Sequence, residues 1–145
     1  MSLGIYLYFN GNCREAVESY AKIFGVETPR IMTFGESPDN PQYPLPDHVK
    51  DLVMHAVLTI EGVKIMFSDT FPDYPLPVGK NTRLVITSTD ETKIRSWFEQ
   101  LKEGGTVDME LQKTFWSPCY GEATDKFGIG WQLSLDGGEM AGMPQ

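Results

Sequence analysis

Positive charge is scarce in this chain of 145 residues: 12 Lys and Arg stand against 20 Asp and Glu, a formal net charge of −8. Such a surface repels a polyanion unless a basic patch has been set aside. Lys and Arg are instead scattered singly, with Lys93 and Arg95 on one predicted helix the nearest thing to a cluster, so nucleic acid is not an expected partner. Cysteine is equally sparse. Cys13 and Cys119 lie far apart without metal-ligand spacing, which excludes a disulfide scaffold and fits a reducing, cytoplasmic compartment. Only His48 and His55 offer imidazole. No apolar run approaches 18 residues, and no basic region followed by an apolar stretch opens the chain, so neither a membrane partner nor export is expected.

What is present is the composition of a globular protein, 41% hydrophobic and 12% aromatic, long enough for a single domain over residues 1–145 that buries roughly two-thirds of its unfolded surface. The chain reads as one unit written twice. In "GIYLYFNGNCREAVESYAKIFG" a strand-like run changes period at Asn12, which with Glu15 forms a variant of the capping box. Ala16, Val17, Tyr20, Ile23 and Phe24 then make a helical stripe, and Gly25 supplies the stop. "RLVITSTDETKIRSWFEQLKEGG" repeats this with a Thr89 or Asp90 cap, a stripe at Ile94, Trp97, Phe98 and Leu101, and a Gly104-Gly105 stop. A shift of 77 places superposes strand, cap and helix. "DLVMHAVLTIEGVKIMFSD" and "YGEATDKFGIGWQLSL" read as hairpins that correspond at a shift of 66. With "GVETPRIMTF" and "GTVDMELQKTF" as the strands after the helices, each half is strand, helix, strand, strand, strand: module 1 spans about 3–70 and module 2 about 82–136.

Between them lie proline-rich segments. "GESPDNPQYPLPDHVKD" accounts for the difference in spacing, and a loop of this length is uncommon unless it forms a lid or a binding rim. "TFPDYPLPVGKN" joins the halves. The last strand of each half, Val63 to Phe67 and Ile129 to Leu135, is largely apolar at both parities, so both faces should be covered, one by a helix and the other by a core or a cavity.

The segments "YLYFNGNCREAVESYAKIFG", "VMHAVLTIEGVKIMFSD", "LKEGG", "LQKTFWSPCYG" and "TDKFGIGWQLS" cover nearly the whole chain in order. They resemble the PhnB-like branch of the vicinal oxygen chelate superfamily, which includes glyoxalase I, bleomycin-resistance proteins and extradiol dioxygenases. The resemblance implies an α+β fold, two βαβββ modules forming a curled mixed sheet around a shared cavity, within a homodimer. It also carries an old label, a demethylubiquinone methyltransferase. A methyltransferase of the Rossmann type needs a Gly-rich turn after its first strand, and no G-x-G-x-x-G occurs here.

The superfamily's enzymes hold a divalent metal with His and Glu from the first and last strands of each module. Aligned without gaps, those positions fall on Tyr6 or Tyr8, Met66, Thr82 or Leu84, and Gln132, none a His or a carboxylate. No metal or other cofactor is therefore expected. His48 reads as a solvated loop residue. His55, mid-strand among apolar neighbours, reads as a satisfied interior His ahead of ligand contact and metal ligation. Asp69, between Ser68 and Thr70, reads first as a turn or cap. Both stand seven residues from Gly62, so a cross-strand acid–base pair is the alternative. The rings of Trp116, Tyr120, Phe127 and Trp131 bracket the closing hairpin, core or interface in part and cavity lining in part.

The residues expected to contact a ligand are Tyr8, His55, Phe67, Trp116, Tyr120, Trp131 and Gln132. The favoured function is metal-independent binding of a small, partly apolar organic molecule. The alternative is a divalent-metal-dependent lyase, isomerase or oxygenase using His55, Gln132 and Asp69.

Overall fold

The structure, a computed structural model, describes residues 1–38 and 41–137. The first module runs β1 (Ile5–Phe9), α1 (Cys13–Phe24), β2 (Met32–Thr33), β3 (Val53–Ile60) and β4 (Val63–Asp69). The second runs β5 (Leu84–Ser88), α2 (Glu91–Lys102), β6 (Thr106–Gln112), β7 (Tyr120–Thr124) and β8 (Gly130–Leu135). Each builds its own four-stranded mixed sheet, in the orders β1-β4-β3-β2 and β5-β8-β7-β6, with the first strand parallel to the last. The chain divides into two compact units after Pro77, inside the segment expected to join the halves.

One face of each sheet takes the helix. Ala16, Val17, Tyr20 and Ala21 of α1 are buried with Phe9, Ala56, Leu58, Ile65 and Phe67, and the Phe67 ring packs on Phe9 and Tyr20. In the second unit Ile94, Trp97, Phe98 and Leu101 of α2 are buried, as are Ile86, Ala123, Trp131, Leu133 and Leu135. Each large apolar side chain so buried contributes about 2 kcal/mol. Gly121 sets how closely α2 approaches, because a Cβ there would meet Leu111 Cδ2 at 2.9 Å and Phe98 Cε2 at 3.1 Å.

Turn chemistry follows the residues. Glu61 and Gly62 both take positive φ, 47° and 81°, and close a two-residue hairpin between Ile60 and Val63. Gly25, at φ 66°, returns its N–H to the end of α1. The strand expected across "GVETPRIMTF" is reduced to Met32–Thr33, in keeping with Pro29, which has no N–H for a ladder. The long loop is drawn together at its ends, where Phe34 and Gly35 donate N–H bonds to the Leu52 and Lys50 carbonyls.

Helix starts are where the modules part. Asp90 caps α2 as expected, accepting from the N–H groups of Thr92 and Lys93. Asn12 makes no side-chain cap to α1. Asp69 does the work instead: Oδ1 accepts from the N–H of Gly11 (2.9 Å) and Cys13 (3.0 Å), and Oδ2 from that of Val53 (2.9 Å). One carboxylate at the end of β4 thus ties together the start of α1 and the start of β3.

The shared register also needs correction. The helical stripes match at 77, but Leu7 pairs with Phe67 and Ile86 with Leu133, so the first strands correspond at 79. The cause is the link from strand to helix, three residues after β1 and two after β5, together with a one-residue offset of each stripe within its helix.

Asp69→Ala strands two buried N–H donors, those of Cys13 and Val53, and the part-buried one of Gly11, while removing little bulk. The expected loss is about 3 kcal/mol, read as a lower urea midpoint, whereas Asn12→Ala should move the midpoint little.

Candidate functional site

Because side chains alternate across a strand, the pairings decide which residues lie opposite the helices. In the first unit these are Tyr6 and Tyr8 on β1, Met66 and Ser68 on β4, and His55 and Val57 on β3. Tyr6 and Tyr8 stack with ring centroids 4.8 Å apart, and Tyr8 is 53% exposed. The Tyr6 hydroxyl lies 3.5 Å from His55 Nδ1, with the two rings 6.0 Å apart. This face therefore offers apolar rings with two hydrogen-bonding groups at one edge.

The corresponding face of the second unit is polar. It carries Thr87, Gln132, Ser134, Tyr120, Glu122 and Thr124, with Val85 as its apolar member. Arg83, just before β5, donates from Nη2 to Asp108 Oδ2 at 2.9 Å, and its Nε lies 3.6 Å from Glu122 Oε1. The Thr124 hydroxyl donates to the same Asp108 oxygen at 2.7 Å. That hydroxyl first, and then Arg83, hold the Asp108 carboxyl below its usual range. A small cleft of about 100 Å³ lies beside this network, lined by Val78, Lys80, Thr82, Arg83 and Thr124, with Gly128 and Gly130 completing its wall. Sequence reading passed over Arg83 as a scattered charge, since its partners are 25 and 39 residues away in the chain.

The expected site residues separate. Tyr8 and His55 lie on the open face of the first sheet, and Tyr120 and Gln132 on that of the second. Trp116 meets Tyr120 edge-on at 5.2 Å. Phe67 and Trp131 face the helices instead: Phe67 is fully buried, and Trp131 donates its indole N–H to Asp125 Oδ2 at 2.9 Å. His55 and Asp69 do not form a cross-strand pair. Ala56 pairs with Phe67 on the helix side, so His55 takes the opposite face while Asp69 stays beside Phe9 in the core. The hairpin is centred between Glu61 and Gly62, not on Gly62, and that half-step reverses the parity.

The pairings also sharpen the metal positions. Tyr6 pairs with Met66 and Val85 with Gln132, so the position expected at Thr82 or Leu84 falls on Val85; Leu84 pairs with Trp131 on the helix side. Neither pair, Tyr6 with Met66 in the first unit or Val85 with Gln132 in the second, supplies a His or a carboxylate for a divalent metal. Among the described residues, no group of three His, Cys, Asp or Glu could hold a metal ion.

A protein with two βαβββ modules and helix-free sheet faces is of the glyoxalase/bleomycin-resistance class, and residues 2–134 match the family described as 3-demethylubiquinone-9 3-methyltransferase. The chain belongs to this PhnB-like family of the vicinal oxygen chelate superfamily. It is 33% identical to Protein YjdN of Escherichia coli strain K12, over 93% of this chain and 95% of that one. It is similar to the crystal structure of PA1353 from Pseudomonas aeruginosa, with a TM-score of 0.80 and 37% identity over 92% of this chain and 98% of the other. The PhnB protein of Bacillus cereus follows at 0.74 and 25%, covering 93% and 99%. At the level of fold alone, FosX of Listeria monocytogenes, a fosfomycin resistance protein, matches with a TM-score of 0.60 at 12% identity, covering 92% and 89%. The activity in the family's description is not carried over, because the links after the first strands here are Asn10-Gly11-Asn12 and Thr89-Asp90, neither of them a nucleotide-binding turn.

Neither cysteine is poised as a nucleophile. Burial foremost, with the nearby Asp69 charge, pushes the Cys13 thiol up to about 12, and burial likewise raises that of Cys119. The unfolded chain ionises such thiols near pH 9, so the native state holds the extra proton above that pH. This contribution is fully present below about pH 9 and is lost as pH rises toward 12. Urea midpoints measured from pH 8 to 11 should fall more steeply for the wild type than for Cys13→Ala.

Proposed function

We propose that this PhnB-like protein binds a small, partly apolar organic molecule and does so without a metal. The observation that carries the reading is the set of side chains at the superfamily's ligand positions, Tyr6, Met66, Val85 and Gln132, which are recognition groups and not ligands for a hard or borderline cation. The stacked Tyr6–Tyr8 pair adds a rigid, amphipathic surface on the face opposite the helix of its own unit, of the kind that holds planar or apolar groups at low entropic cost. His55, beside Tyr6, supplies a hydrogen bond that orients the bound molecule. From the family comes the further expectation that such faces enclose a cavity within a homodimer.

The competing reading is a metal-dependent lyase, isomerase or oxygenase, and it requires His55 to act with Gln132 and a carboxylate. Asp69 is ill suited to that role, since both its oxygens already accept backbone N–H bonds.

Tag-free protein dialysed against Zn, Ni, Mn and Fe(II) salts should retain no stoichiometric metal. The same protein should enhance the fluorescence of 8-anilinonaphthalene-1-sulfonate saturably, at about one site per chain, and the Tyr6→Ala/Tyr8→Ala double variant should weaken that binding about tenfold. A retained metal that is lost in His55→Ala would overturn the reading, as would probe binding indifferent to the tyrosines.

A further inference from the structure

A fold written twice provides an internal control, because a side chain needed only to build the sheet has a counterpart in the other copy. On the open face of the second unit Glu122 stands directly opposite Gln132 across β7 and β8. At the corresponding positions of the first unit, Val57 stands opposite Met66. The sheet itself thus has no need of the polar pair. Tyr120, two residues from Glu122 on the same face, takes the place that His55 occupies in the first unit.

These groups are poorly satisfied by the protein. Among the described residues, neither Glu122 nor Gln132 has a side-chain hydrogen-bond partner, and Tyr120, though 7% exposed as a residue, has none for its hydroxyl; no such unpartnered atom is buried, so each stays open to a ligand. Arg83 approaches Glu122 no closer than 3.6 Å and spends its short bond on Asp108. The Glu122 side chain is only 22% exposed, so its remaining acceptor capacity lies in a partly desolvated place where a charge-assisted bond counts for more than in water. Burial foremost, and then the Glu122 charge, raise the Tyr120 hydroxyl above its ordinary value, keeping it a neutral neighbour able to donate or accept.

We infer that Glu122, Gln132 and Tyr120 form a subsite for a protonated amine, so that the organic ligand of this protein is a cation. The inference rests on the proposed binding function and names the charge of what is bound. Glu122 takes the ammonium N–H, the Gln132 carbonyl and the Tyr120 oxygen take the others, and Arg83 holds Asp108 away from that role. The formal charge of −8 favours the approach of such a ligand.

Three probes of one shape separate the terms: 4-phenylbutylammonium, 4-phenylbutanol and 4-phenylbutyrate, titrated calorimetrically at pH 7 into the full chain. The ammonium should bind at least about tenfold more tightly than the alcohol, and the carboxylate more weakly than either. Glu122→Gln, which keeps the shape, should abolish the preference for the ammonium over the alcohol. Gln132→Met, the first unit's residue, should reduce it, with thermal unfolding confirming that both variants fold. Equal affinities, or a preference that survives Glu122→Gln, overturn the subsite. Absence of binding by all three probes while 8-anilinonaphthalene-1-sulfonate still binds also overturns it, leaving the metal-free binder in place.

Discussion

Each four-stranded sheet has one helix to cover two faces, and the other features of both units follow from that shortage. The alternation of side chains forces each strand residue to choose between the helix and the open side. Phe9, Ile65 and Phe67 go to the helix, while Tyr6, Tyr8 and Met66 are left on a face with no cover from their own unit. The first strand runs parallel to the last, so a single step of register would exchange these sets and expose the core. Asp69 resists such a step in the first unit, since its carboxylate is bonded to backbone that precedes α1 and to backbone that begins β3.

The two copies meet this constraint with different chemistry. The first anchors its helix through a residue remote in sequence and presents rings on its open face. The second caps its helix locally through Asp90 and sets an ion-pair network, a glutamate and a glutamine on the equivalent surface. Val57 and Met66 in one correspond to Glu122 and Gln132 in the other, although the backbones pair alike.

Much of the architecture was legible beforehand because local signals agreed with one another. Gly25, the Glu61-Gly62 turn and the stripe from Ile94 to Leu101 each act over a few residues, and so they read correctly from a few residues. The site was less legible because faces depend on half-steps. Placing the hairpin centre on Gly62 joined His55 to Asp69, whereas the observed pairing parts them. A shift of 77 for the first strands pointed to Leu84, while the pairing points to Val85. Phe67 and Trp131 drew attention as large rings, and size does not reveal the side of the sheet on which a ring lies. Arg83 escaped notice, and Asp69 read as a local turn or cap, for another reason: their partners are assembled only by the fold.

Gly130 has a consequence of its own. A Cβ at this position would lie 2.9 Å from Arg83 Cγ, so the stem of the arginine passes through space that only the missing side chain leaves open. Arg83 in turn holds Asp108, which also takes the Thr124 hydroxyl. The placement of the arginine therefore depends on the glycine, as a key depends on the slot cut for it. A side chain at 130 would displace the Arg83 stem, and with it the guanidinium that pairs with Asp108 and Glu122.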